Sequence, residues 1–188
     1  ENQEEAHALV DRFRPFFENE SIEKIGQNMK YDLKILANYG ISVKGKLFDT
    51  MIAHYLINPD MRHNMDVLSE TYLQYLPKPI EALIGKKGKN QLSMRDVNLE
   101  DIKEYASEDA DITLQLKNHF QPILEKVGTK KLFDEIEIPL VQVLADMERE
   151  GIRLDVDFLK ALSVEMQKEI NDIEQKIYET ADEKFNLA

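Results

Sequence analysis

The apolar positions of this chain recur mostly at helical spacing. Over residues 4–18, Ala8, Leu9, Val10, Phe13, Phe16 and Phe17 form a near-helical stripe that Asn19-Glu20-Ser21 breaks. Lys24-Ile25-Gly26-Gln27-Asn28 reads as the end of a strand leading into a helix over 30–38. Asn38-Tyr39-Gly40 is a helix stop, because glycine accepts the left-handed conformation at C′. Residues 41–48, with β-branched positions and a glycine, are the best remaining strand. Helices follow over 49–56, ending at Asn58-Pro59, and over 65–73, with Pro77 and Pro79 punctuating what comes next.

The segment 85–90 is a polar, basic loop, and residues 98–126 return to helical spacing with possible breaks at Ser107 or Pro122. The character changes near Gly128. Ile136, Leu140, Val143, Leu144 and Met147 form a stripe in which Pro139 predicts a kink or a late helix start. Asp155 is the expected N-cap of an amphipathic helix over 156–183, carrying Phe158, Leu162, Met166, Ile170, Ile173 and Ile177. Two long helices joined by a short turn predict a hairpin that projects from the main body. No repeat or low-complexity tract appears.

At 188 residues the chain can bury the core of one domain or a little more. Its 43% apolar and 32% charged residues describe an ordinary globular protein. No apolar run reaches the roughly 18 residues needed to cross a bilayer, so no membrane partner is expected. The opening residues lack a signal peptide's basic and apolar regions. Cysteine is absent, which excludes disulfides and thiolate metal sites and suits a cytoplasmic setting. His7, His54, His63 and His119 include no pair at helical i, i+3 or i+4 spacing. Any metal is therefore expected on carboxylates, which favours Mg²⁺ or Mn²⁺. A net charge of −12 excludes a broad basic surface for duplex DNA but tolerates a nuclease site, where carboxylates gather.

Two short segments carry candidate chemistry. Asn28 and Asp32 stand four residues apart at a helix start, and Tyr105 and Asp109 four apart within a helix. That spacing puts each pair on one helix face. Taken alone, Asn28 also reads as an N-cap, Asp32 as a first-turn acid favoured by the helix dipole, and Asp109 as one acid of a solvated face.

The order and spacing of GQNMKYDLKILANYGI, FDTMIAHYLINP, RHNMDVLSETYL, GKKGKNQLS, YASEDADITLQL and EIEIPLVQVLADMEREGIRLD resemble the family A DNA polymerases over residues 20–160, and arguably over the whole chain. The resemblance implies an α/β, RNase H-like 3′→5′ exonuclease fold of the DEDDy type over residues 1–128. Residues 129–188 would then begin a polymerase thumb. It assigns Asn28 and Asp32 to the second exonuclease motif and Tyr105 and Asp109 to the third. In such sites four carboxylates hold two divalent metals and a tyrosine orients the attacking water. Asp109 and Asp32 would be metal ligands, Tyr105 would hold the nucleophile, Asn28 would position substrate or support Asp32, and Gln27 and Arg62 would contact the DNA strand. Arg62 has an alternative as an ion-pair partner of Asp60 or Asp66.

The family's first motif, Asp-x-Glu on an opening strand, has no match here, so the fold is expected to be mostly helical and the chain inactive by itself. Asp49 in Phe48-Asp49-Thr50 follows the second motif and reads as a helix cap instead. Lys86, Lys87 and Lys89 suit either phosphate contacts or a solvated loop. Ile80 stands where relatives carry an aromatic near the frayed DNA end, which implies weaker base stacking. A sheet without its opening strands exposes an edge, so self-association is expected there. The alternatives are an RNase D-like nuclease and a non-catalytic helical scaffold.

Overall fold

The computed structural model describes residues 3–187, the side chain of Gln3 excepted. The elements in chain order are α1 (Gln3–Asp11), α2 (Arg14–Phe17), β1 (Lys24–Gly26), α3 (Met29–Asn38), β2 (Leu47–Asp49), α4 (Thr50–Ile57) and α5 (Met65–Leu68). They continue with α6 (Glu81–Ile84), α7 (Leu99–Val127), α8 (Lys130–Leu132), α9 (Ile138–Glu150) and α10 (Val156–Ala181). The two strands are parallel, with Gly26 opposite Asp49, and α3 is the crossover between them. The fold is thus α/β with a minimal sheet, as the RNase H-like expectation requires.

The long helix α7 is the spine of the core. Ile112, Leu116, Phe120 and Leu124 are buried at four-residue intervals, which align on one face. They meet Phe48 of β2, Ala53 of α4, Leu68 of α5 and Phe133. Burying side chains of this size contributes about 1.5–3 kcal/mol each. That gain explains why α7 runs through Pro122 without stopping. Phe120 and Leu124 anchor the helix on both sides of the proline, whose ring faces solvent.

A second cluster joins Leu33 of α3 to Val141 and Ala145 of α9. Glu148 of α9 accepts hydrogen bonds from Lys30 and Lys34 of α3 at 2.6 and 2.7 Å. These ion pairs lower its carboxyl to about 2. Packing therefore divides the chain after Glu150, and α9 belongs with the first unit. The second unit, from Gly151 onward, is α10 and its flanks, with Asp155 capping the helix through Phe158 N as expected. Pro139 does not delay the helix as expected: α8, a π-helical turn over Phe133–Glu137 and α9 follow one another without a break, and the proline sits just after the π turn.

Residues 41–46 depart from the expected strand, since only Leu47–Asp49 pairs. Their backbone groups are engaged elsewhere: Ile41 N donates to Leu36 O, and Lys44 N to Phe17 O. Gly45 has φ +84°, and a Cβ there would lie 2.7 Å from Glu20 O. The buried Lys24 ammonium fixes this segment by donating to Asn19 O, Ile22 O and Lys44 O. Among the described residues, no helix is long and apolar enough to cross a membrane.

Candidate active site

One half of the site grows from the carboxyl end of β1. Gly26 ends the strand, Gln27 follows, and Asn28 adopts the left-handed conformation at φ 63° and ψ 51° before α3 begins. This conformation costs a non-glycine residue on the order of 1–3 kcal/mol. It turns the backbone N–H groups of Asn28 and Met29 toward Asp49, whose oxygens accept them at 3.2 and 2.7 Å. Asp32 stands one turn further along, exposed on α3. Partial burial and the nearby Asp49 raise its carboxyl above the usual range.

Gln27 is engaged at both ends of its amide. Its Nε2 donates to His63 O at 2.7 Å, and its Oε1 accepts from the Thr50 hydroxyl. That tie draws the loop carrying Arg62 and His63 against β1. Arg62 is exposed and pairs with neither Asp60 nor Asp66.

The other candidate segment lies on α7, where Tyr105 and Asp109 share a face and influence each other electrostatically. Burial first, and then the charge of Asp109, push the Tyr105 hydroxyl up to about 12. Burial also raises the Asp109 carboxyl; Tyr105 opposes that shift, while Glu108 and Asp66 add to it. The hydroxyl therefore stays protonated at neutral pH, able to donate to a carboxylate and to accept from a water.

Glu108 fixes the neighbouring loop, accepting from the Tyr75 hydroxyl and, at 3.0 Å, from Lys78 N. Asp66 of α5 is an acid that acts electrostatically on this pair and that helical spacing could not reveal, because it comes from a different helix.

Asp32 has Asp49 as its charged neighbour, whereas Asp109 has Glu108 and Asp66. Among the described residues no group of three or more His, Asp or Glu side chains is arranged to hold a metal. Asp32 and Asp109 fit Mg²⁺ or Mn²⁺ in kind, as hard carboxylate oxygens, but not in number. Two of the scattered histidines do meet in the fold: His54 Nδ1 lies 2.7 Å from His63 Nδ1, and His54 Nε2 lies 2.9 Å from the Tyr72 hydroxyl. Helical spacing could not reveal this pair, because a loop makes it. Burial, and then the charge of the neighbouring His63, lower His54 to about 4.

Comparison with known proteins defines the class. Residues 1–125 match a family model described as 3′-5′ exonuclease, and the chain belongs to that family, the exonuclease domain of family A DNA polymerases. It is similar to DNA polymerase I of Rhizobium leguminosarum, with 36% identity over 188 residues, 100% of this chain and 18% of that protein. DNA polymerase I of Chloroflexus aurantiacus is 37% identical over 95% of this chain and 19% of its own length. That of Borreliella burgdorferi is 38% identical over 97% and 20%.

The chain thus spans 18% to 20% of these relatives. Its fold matches a solved structure described as the POL domain of Pol1 from M. smegmatis in complex with DNA primer-template and dNTP. The TM-score is 0.75 at 22% identity, covering 100% of this chain and 29% of that one. It also matches Brucella melitensis NrnC bound to pGG, with a TM-score of 0.60 at 22% identity over 76% and 66% of the two chains.

Proposed function

We propose that the chain is part of a DNA polymerase I-type enzyme and supplies half of its 3′→5′ proofreading exonuclease site, with residues 129–188 beginning the thumb. The observation that carries this reading is that Tyr105 and Asp109 sit on one face of α7, inside the stretch that matches the exonuclease family. In this reading Asp32 and Asp109 are ligands for Mg²⁺ or Mn²⁺. With the rest of a ligand set in place, a metal held there would supply a hydroxide near neutral pH and offset charge on the phosphodiester oxygens.

Tyr105 donates its proton to Asp109 and accepts from the attacking water, which fixes the water's orientation. The exposed Asn28 side chain and Arg62 contact the single-stranded 3′ end, with Arg62 suited to a phosphate. Gln27, committed at both ends, acts there by holding the loop that presents Arg62. The setting is the bacterial cytoplasm.

With two carboxylates in place of a complete ligand set, the chain alone does not trim DNA in this reading. The test is digestion of single-stranded DNA with Mg²⁺ or Mn²⁺ by this chain and by a version extended upstream by roughly 70 residues, a length judged from usual strand and connection sizes. Trimming by the extended version only, lost in Asp109→Ala, supports the reading. No trimming by either version overturns it. We further propose that copies of the shorter chain associate through the open edge of β1, which pairs with β2 alone among the described residues. A sedimentation mass that stays monomeric at every concentration refutes that.

A further inference from the structure

Asp49 lies 2% exposed at the end of β2, where one carboxylate receives four backbone N–H groups. Two belong to the start of α4, Met51 at 2.9 Å and Ile52 at 3.4 Å, as for any N-cap. The other two, Asn28 at 3.2 Å and Met29 at 2.7 Å, belong to the entry of α3. A helix cap is satisfied by the first two alone. The second pair matters because Asn28, the N-cap residue of α3, makes no capping bond with its own side chain and sits in a left-handed conformation.

We propose that Asp49 is a positioning residue of the nuclease site, holding the entry of α3 and thereby aiming Asp32, without touching metal or DNA. The proposal rests on the exonuclease reading for its function, but its geometry stands alone. The left-handed turn at Asn28 points two successive N–H groups to one side, a concavity that an anion fills. Asp49 is that anion. The parallel register of β1 and β2 places it there, because Gly26 and Asp49 are cross-strand partners. The same clamp leaves the Asn28 side chain exposed and sets Asp32 one turn further on, so both residues of the second motif take their positions from it.

Two substitutions separate this role from simple capping. Asp49→Ser keeps a good cap for α4, but a single short hydroxyl cannot also span to Met29. Asp49→Asn keeps the shape and one oxygen, but sets an NH₂ group against an N–H donor of the clamp.

The experiment is amide hydrogen exchange on the 188-residue chain, together with Mn²⁺ line broadening of the Asp32 and Asp109 signals. In Asp49→Ser, Leu33 and Lys34 of α3 are expected to exchange about tenfold faster or more, while Tyr55 and Leu56 of α4 stay near wild type. The Mn²⁺ concentration that broadens Asp32 is expected to rise about tenfold, the scale of effects from residues that orient a ligand. If Asp49→Ser unfolds, Asp49→Asn gives the same α3-selective reading. Wild-type exchange in α3, with an unchanged Mn²⁺ response, overturns the proposal. If Mn²⁺ leaves both acids of the wild-type chain untouched, the metal reading of the site falls, and the contrast between α3 and α4 decides the role of Asp49 by itself.

Discussion

The two segments of the proposed site owe their positions to different local contacts. Tyr105 and Asp109 ride on a 29-residue helix whose buried face, from Ile112 to Leu124, packs across the core. Their separation follows from helix geometry, and their position from hydrophobic burial. Asp32 rides on a 10-residue helix that packs through Leu33 and two ion pairs to Glu148, but whose entry is held by one buried carboxylate and a left-handed residue. Burial is diffuse and survives many single changes at reduced stability. A capping clamp is local, so one substitution can release it and leave the rest of the fold standing.

The largest blow to the α7 half is loss of a core anchor. Leu116→Ala is expected to lower unfolding free energy by about 2–5 kcal/mol, read from denaturant midpoints. Its effect should fall on the whole first unit, in contrast to the α3-selective effect of Asp49→Ser.

The next effect comes from pH. His54 has a folded pKa of about 4, below its ordinary 6.5, so the fold excludes a proton that the unfolded chain takes up. Stability is complete above the unfolded value and is lost as pH falls from 6.5 toward 4, by up to about 3 kcal/mol. Because the His63 carbonyl holds Gln27, this loss should be accompanied by faster exchange around residues 62–66. In His54→Gln the dependence in this window should shrink.

Asp49→Ala comes next, at about 2 kcal/mol, since it removes the cap of α4 together with the clamp on α3. The smallest effect has the opposite sign. The Asp109 carboxyl is raised, so its charge opposes folding above the ordinary carboxylate range. Asp109→Asn should therefore slightly stabilise the metal-free chain at neutral pH, by about a few tenths of a kcal/mol, the scale of partly solvated charges. That gain should fade in acid, where the wild-type carboxyl is protonated.

How much of this was legible in the sequence follows the same divide between local and distant causes. The glycine stop after α3 and the caps at Asp49 and Asp155 are local signals, and each appears in the structure. The segment 41–46 looked like a strand because β-branched residues say nothing about which backbone groups are available. Here Phe17 and Leu36 had taken the hydrogen bonds. Helical spacing found the Tyr105–Asp109 pair. It could not find Asp66 acting on that pair, His63 against His54, or the second duty of Asp49, because a different helix, a loop and strand register supply those partners.

The central claim is that Asp32 and Asp109, positioned independently, serve one reaction. The most direct test is single-turnover trimming of single-stranded DNA by the upstream-extended protein, comparing Asp32→Ala, Asp109→Ala and the double variant. Residues acting as a unit are strongly non-additive, so the double variant should be no slower than the worse single one. Losses that multiply, or an Asp32→Ala rate equal to wild type, would show that the two halves do not form one site.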